Sequence, residues 1–129
     1  MDLQAFFPYR LAVLAEAVSQ CTAQVYAERF ALSRDEWRVL AALAELGSIR
    51  TAELAAHTTL EKMPISRAVA RLERDGLVER RVDDADRRNH VLRLLPAGTA
   101  LVKKVVPMVL AREQFLLEAL DEAERAQLT

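Results

Sequence analysis

The sequence predicts a mainly α-helical chain carrying a small two- or three-stranded antiparallel β element. Apolar residues recur at helical spacing through most of the chain, two β-rich runs flank an aspartate-rich connection, and the three glycines punctuate periodic segments. The composition agrees with a folded domain: 129 residues, 52% hydrophobic, with 18 Lys+Arg against 19 Asp+Glu for a net charge of −1. Such a balance excludes a histone-like basic protein and an acidic disordered tail. The single cysteine cannot close an internal disulfide, and the first ten residues lack the basic and long apolar regions of a secretory leader. The apolar stretch Leu101 to Leu110 is interrupted by Lys103 and Lys104, well short of the roughly 18 residues a membrane span needs. A cytoplasmic protein with no membrane partner is expected.

Phe7, Leu11, Leu14, Val18, Cys21 and Val25 alternate spacings of four and three, the seam of a first helix that packs along another helix. Ser33-Arg34-Asp35-Glu36 is a capping box flanked by Leu32 and Trp37 at staple positions, so a second helix starts at Arg34 and stops at Gly47. Ser48 to Arg50 is a link or minimal strand, and Thr51 is expected to N-cap a short third helix ending about Thr58. After a turn at Thr59-Leu60, a fourth helix runs from Glu61 or Lys62 to Arg74, with Pro64 in its first turn where a missing N–H costs little. Leu77 to Val82 and Asn89 to Leu95 are strands joined by the polar run 83–88. Pro96-Ala97-Gly98 marks the exit into a long apolar helix expected to bend at Pro107, and Asp121 to Glu124 opens a last helix that the chain leaves unfinished.

Helices followed by a hairpin in this order predict a winged helix-turn-helix whose fourth helix reads DNA. Ile65, Val69 and Leu72 share one face and would be buried, leaving Ser66, Arg67, Ala70, Arg71 and Arg74 outward. Arg can take guanine O6 and N7 together, Ser can donate or accept, and Ala permits close approach in a major groove. Lys62 and Pro64 lie at the end that enters the groove. Residues 62–93 carry a net charge of +3 while the remainder carries −4, the distribution expected for phosphate contact, with an ordinary solvated surface as the competing reading. Arg80 and Arg81 alternate faces on the strand; one faces phosphate and the other solvent or an acidic neighbour, and the pattern does not say which. The candidate DNA-binding set is Lys62, Pro64, Ser66, Arg67, Arg71, Arg74, Arg81, Arg87 and Arg88.

The run Leu72 to Arg81, followed by Asp83-Asp84-Ala85-Asp86-Arg87-Arg88, resembles the MarR family of bacterial transcriptional regulators. Asp86, Arg88 and Leu92 meet the family's D-x-R-x-x-x-L wing pattern, and Leu32-Ser33, Trp37 to Leu40 and Leu95 to Gly98 extend the similarity over most of the chain. Pro96 departs from the family's usual threonine, and family members continue through a fuller final helix than one ending at Thr129. The resemblance implies a homodimer on pseudo-palindromic double-stranded DNA, with residues 1–31 and 96–129 as its helical dimerisation region and 32–95 as its DNA-binding lobe. It also implies that Arg88 enters a minor groove and that Asp86 orients the wing's arginines, against the plainer reading of Asp86 as a turn aspartate. An effector pocket between dimer helices and DNA-binding lobe is implied too, often for aromatic carboxylates or phenols. Tyr9, Arg10, Trp37 and Arg38 could supply its ring and cation, with Arg10 and Trp37 as the ligand-binding candidates and Trp37 also explained as a staple.

Cys21 raises a thiol-based redox sensor as an alternative. It lies on the apolar seam, with no Lys, Arg or His within one helical turn, whereas sensors of this family place the cysteine near the helix start. His57 and His90 lack metal-pair spacing, no nucleophile triad or glycine-rich phosphate loop is present, and neither metal, cofactor nor catalytic residues are expected. A non-catalytic, ligand-released repressor is the expectation, with a winged-helix protein-interaction module as the rival.

Overall fold

The computed structural model describes residues 1–128; Thr129 lies outside the described residues. A 3-10 turn at Leu3–Ala5 precedes α1 (Phe7–Ala23), α2 (Ala27–Phe30), α3 (Arg34–Leu46) and β1 (Ile49–Arg50). After a 3-10 turn at Thr51–Glu53 come α4 (Leu54–Thr58), α5 (Lys62–Arg74), β2 (Val78–Val82), β3 (His90–Leu94), α6 (Pro96–Leu117) and α7 (Glu122–Leu128). The chain divides into two compact units, one of residues 32–104 and the other of residues 1–31 with 105–129.

In the unit 32–104, local chemistry sets each boundary. Ser33 accepts the Glu36 N–H at 3.1 Å while the Glu36 carboxylate accepts the Ser33 N–H at 2.7 Å, completing the predicted capping box of α3. Gly47 closes that helix at φ 78°, a conformation open to glycine without steric cost. Thr51 does not cap α4 as expected. Arg50 is the residue before the 3-10 turn, and the Thr51 hydroxyl instead reaches the His90 carbonyl at 3.4 Å, because pairing of β1 with β3 brings that carbonyl close. The turn into α5 places Thr59 at φ 61°, with the Thr58 hydroxyl donating to the Leu54 carbonyl and accepting the Leu60 N–H.

Three strands form one antiparallel sheet in the order β1-β3-β2, with Ile49 opposite Leu92 and Val78 opposite Leu94. The α3 helix packs on α4 and α5, and α5 packs on β2. Leu40, Leu43, Leu54, Val69, Leu72, Val78 and Leu92 are fully buried, so the predicted apolar face of α5 does point into the core. Pro96, expected to punctuate the exit, is instead the first residue of α6, where proline's missing N–H has no helical partner to lose. The first turns of α6 stay with this unit because the Leu95 N–H donates to the Leu77 carbonyl at 2.9 Å and Gly98 is buried directly beneath that carbonyl. That places the unit boundary at 104/105 rather than at 95/96.

In the other unit, α1 buries none of its residues: Phe7, Leu11, Leu14 and Val18 are all exposed along the predicted seam. The short α2, not anticipated from the sequence, ends at Ala31 in the left-handed region. Arg112 of α6 donates to the Cys21 carbonyl at 2.8 Å, to the Gln24 side chain at 3.1 Å and to the Cys21 sulfur at 3.4 Å. No cation lies within one helical turn of Cys21, and the one beside it comes from α6, 91 residues along the chain. Asp121 and Glu124 cap α7 reciprocally, as predicted. Pro107 lies inside α6, which runs unbroken from Pro96 to Leu117.

Candidate nucleic-acid interface

The outward surface of α5 follows from its buried one. With Ile65, Ala68, Val69 and Leu72 turned into the core, Lys62, Met63, Ser66, Arg67, Ala70, Arg71 and Arg74 are exposed, and Pro64 is half-buried in the first turn. Burial of four side chains on one stripe fixes the rotation of the helix about its axis, and so fixes which side chains can meet a ligand.

The hairpin is built on carboxylates. Asp83 pairs with Arg50 at 2.9 Å and accepts the Ala85 N–H at 2.9 Å, tying the base of the connection to β1. Asp86 accepts the Arg88 N–H at 3.1 Å and its Nε at 3.2 Å, and the Asn89 side-chain amide at 3.1 Å. Asp86 is thus both a turn aspartate and the partner of Arg88, whose side chain is 91% exposed. The Arg88 guanidinium and then its backbone N–H hold the Asp86 carboxyl below the ordinary carboxylate range.

Charge on this surface is sorted into paired and unpaired cations. Glu79 accepts from Arg81 and, across the β2–β3 pair, from Arg93 at 2.8 Å; Arg81 first and Arg93 second lower its pKa. Arg80 pairs with Glu73 at 3.4 Å. Both members of the alternating pair therefore meet acidic neighbours, whereas the sequence led to one of them being left for phosphate; the carboxylates of Glu73 and Glu79 come from either side of the strand. Arg71 directs Nε to the buried Glu36 at 3.3 Å. By contrast Lys62, Arg67, Arg74 and Arg87 are exposed and stand outside the ion pairs of the described residues. The net +3 of this region is therefore concentrated on the outer face of α5 and the hairpin tip, where a phosphate backbone would meet cations whose charge no carboxylate offsets.

A cleft of about 370 Å³ joins the two elements: Lys62 and Ser66 of α5 line it together with Thr51, Arg88, Asn89 and His90. The structure thus brings Lys62, Ser66 and Arg88 together, and sets Arg81 apart on the β2 face with Glu79. Of the ligand candidates, Arg10 is exposed on α1 and Trp37 is half-buried on α3, in separate units. Among the described residues there is no cluster of His, Cys, Asp and Glu able to hold a metal ion, and no helix is long and apolar enough to cross a membrane. Met63, exposed beside Lys62, escaped the sequence reading, which sought polar readers; its place on the outward stripe of α5 was the available signal.

Comparison with known proteins agrees with this geometry. Residues 32–90 match the MarR family. The chain is 28% identical over 99 residues to the HTH-type transcriptional regulator YwoH of Bacillus subtilis (strain 168), covering 77% of this chain and 72% of that protein. Among solved structures, a MarR-family regulator from Silicibacter pomeroyi is 26% identical, with a TM-score of 0.79 over 98% of this chain and 84% of that one. BpsR of Bordetella bronchiseptica, whose DNA binding is regulated by 6-hydroxynicotinic acid, shares the fold at a TM-score of 0.87 and 24% identity, covering 97% of this chain and 89% of its own. The capped α3, the basic outer face of α5 and most of the carboxylate-braced hairpin fall within residues 32–90, the segment that matches the MarR family, and together with these similarities they support a MarR-family winged-helix transcriptional regulator.

Proposed function

We propose that the protein is a homodimeric repressor that binds a pseudo-palindromic operator and leaves it when a small aromatic acid or phenol binds. The observation that carries the DNA-reading part is the segregation of unpaired cations: Lys62, Arg67 and Arg74 on α5 and Arg87 at the hairpin tip lie outside the ion pairs that hold Arg80, Arg81 and Arg93. In this reading Ser66 and Arg67 contact base edges, with Pro64 letting the backbone approach at the entering end, while Lys62, Arg74 and Arg87 contact phosphates directly and Arg71 and Arg81 join them only by exchanging Glu36 and Glu79 for phosphate. Arg88, braced by Asp86, enters the minor groove.

The homodimer is supported by the exposed seam Phe7, Leu11, Leu14 and Val18, a stripe of apolar side chains that a second copy would cover. The effector is supported by the likeness to BpsR, whose regulator is a hydroxylated aromatic carboxylic acid. Arg10 is the candidate cation for the carboxylate and Trp37 the candidate aromatic surface. The ligand lowers operator affinity by favouring a conformer whose two reading helices do not match successive major grooves, about 34 Å apart.

Fluorescence anisotropy on DNA from upstream of the protein's own gene, against scrambled DNA at two salt concentrations, tests the reading. Specific, salt-sensitive binding with two protomers per site is expected, and release on adding hydroxylated aromatic acids. Binding at the scrambled level at both salts, together with failure to enrich any site from random DNA, would overturn it.

A further inference from the structure

Resting on the DNA-binding reading, we infer that Met63 is a specificity-determining residue that recognises a thymine C5-methyl group in the operator. Met63 is 65% exposed in the first turn of α5, so its whole thioether is available to a ligand. Its position on the helix is not incidental. Met63, Ala70 and Arg74 stand in one row at i, i+7 and i+11, with Ser66 and Arg67 on either side of the row. That row is the centre of the outward face, directly opposite the buried Ile65, Val69 and Leu72. Base contacts of a reading helix come from its N-terminal residues, which is where Met63 lies.

Major-groove chemistry then specifies the partner. The thymine methyl is the one apolar group that a base pair presents in the major groove, and an apolar side chain gains by covering it. Methionine suits this contact because its unbranched, polarizable thioether adapts to a small target. The other apolar residue of the row, Ala70, is too short to reach as far, so Met63 is the longest apolar side chain on the face. Ser66 and Arg67, beside it, hydrogen-bond to neighbouring base edges, and a site read by this face contains thymine next to a guanine.

The test begins with selection of a binding site by the full-length protein from random DNA, followed by replacement of each thymine, one position at a time, with deoxyuridine. Removing one contacted methyl from each half-site weakens wild-type binding by about fourfold per half-site. Met63→Ala, at an exposed helical position, keeps the thermal midpoint and binds the thymine and uracil sites equally, while Met63→Leu retains the discrimination. Equal wild-type affinity for thymine and uracil at every position, or discrimination that survives Met63→Ala, overturns the inference and leaves the DNA-binding reading standing. Failure of the wild-type protein to enrich any sequence overturns that reading and the inference with it.

Discussion

The buried carboxylate of Glu36 joins the start of α3 to the reading helix, accepting the Ser33 N–H at 2.7 Å with one oxygen and facing Arg71 Nε at 3.3 Å with the other. Glu36 is only 3% exposed, so a group that caps one helix also sets the position of a guanidinium on another. Removing it leaves the Ser33 N–H without its acceptor and takes the buried carboxylate away from Arg71, which keeps Asp75 at 3.9 Å. Glu36→Ala is expected to destabilise the fold by about 2 kcal/mol, and Glu36→Gln, which can still accept the cap hydrogen bond, by about half that. The Arg71 side chain is half exposed, which discounts the ionic part. Urea unfolding of the three proteins measures the order.

Gly98 is required by proximity rather than by backbone angle. A Cβ at this position would lie 2.1 Å from the Leu77 carbonyl oxygen, and a backbone atom cannot swing aside as a side chain can. Gly98→Ala is expected to destabilise by about 1–3 kcal/mol despite alanine's better helix propensity. A rise in thermal midpoint, the result that propensity alone forecasts, would contradict the packing.

Acid should loosen the hairpin before it unfolds the core. The carboxyls of Glu79 and Asp86 are held below the ordinary range by Arg81 and Arg93, and by Arg88. A lowered folded-state pKa means a contribution fully present above the unfolded value, about 4, and lost as pH falls through the lowered one. The Arg88 Nε resonance should therefore keep its paired shift at pH 5 and lose it only at pH below about 4. Loss at pH 6 would show that the pair is not formed in solution.

Base reading and phosphate contact separate in their salt dependence. Arg88→Ala and Lys62→Ala are each expected to weaken operator binding with a salt slope smaller by about 1. Arg67→Ala should change preference among operator variants by about 1–3 kcal/mol at the base it reads. Equal losses on all sequences for Arg67→Ala would reassign it to the backbone.

Much of this was legible along the chain because the signals are local. A capping box needs only Ser33 and Glu36 three residues apart, Gly47 and Gly76 mark chain reversals through their own backbone freedom, and the stripe Ile65, Val69, Leu72 declares which side of α5 is buried. The order of helices and strands follows from such signals, and the fold class with it. What the chain could not disclose depended on partners distant in sequence. Arg112 reaches Cys21 from 91 residues away, Arg93 shares Glu79 with Arg81 through strand register, and Thr51 turns from capping to the His90 carbonyl once β1 pairs with β3. Charge counting gave a net excess over residues 62–93 and could not sort it, because pairing is a property of geometry. Periodicity determined which residues face outward; tertiary packing decided which of those cations sit in ion pairs and which stand outside them, because pairing depends on where distant carboxylates are brought.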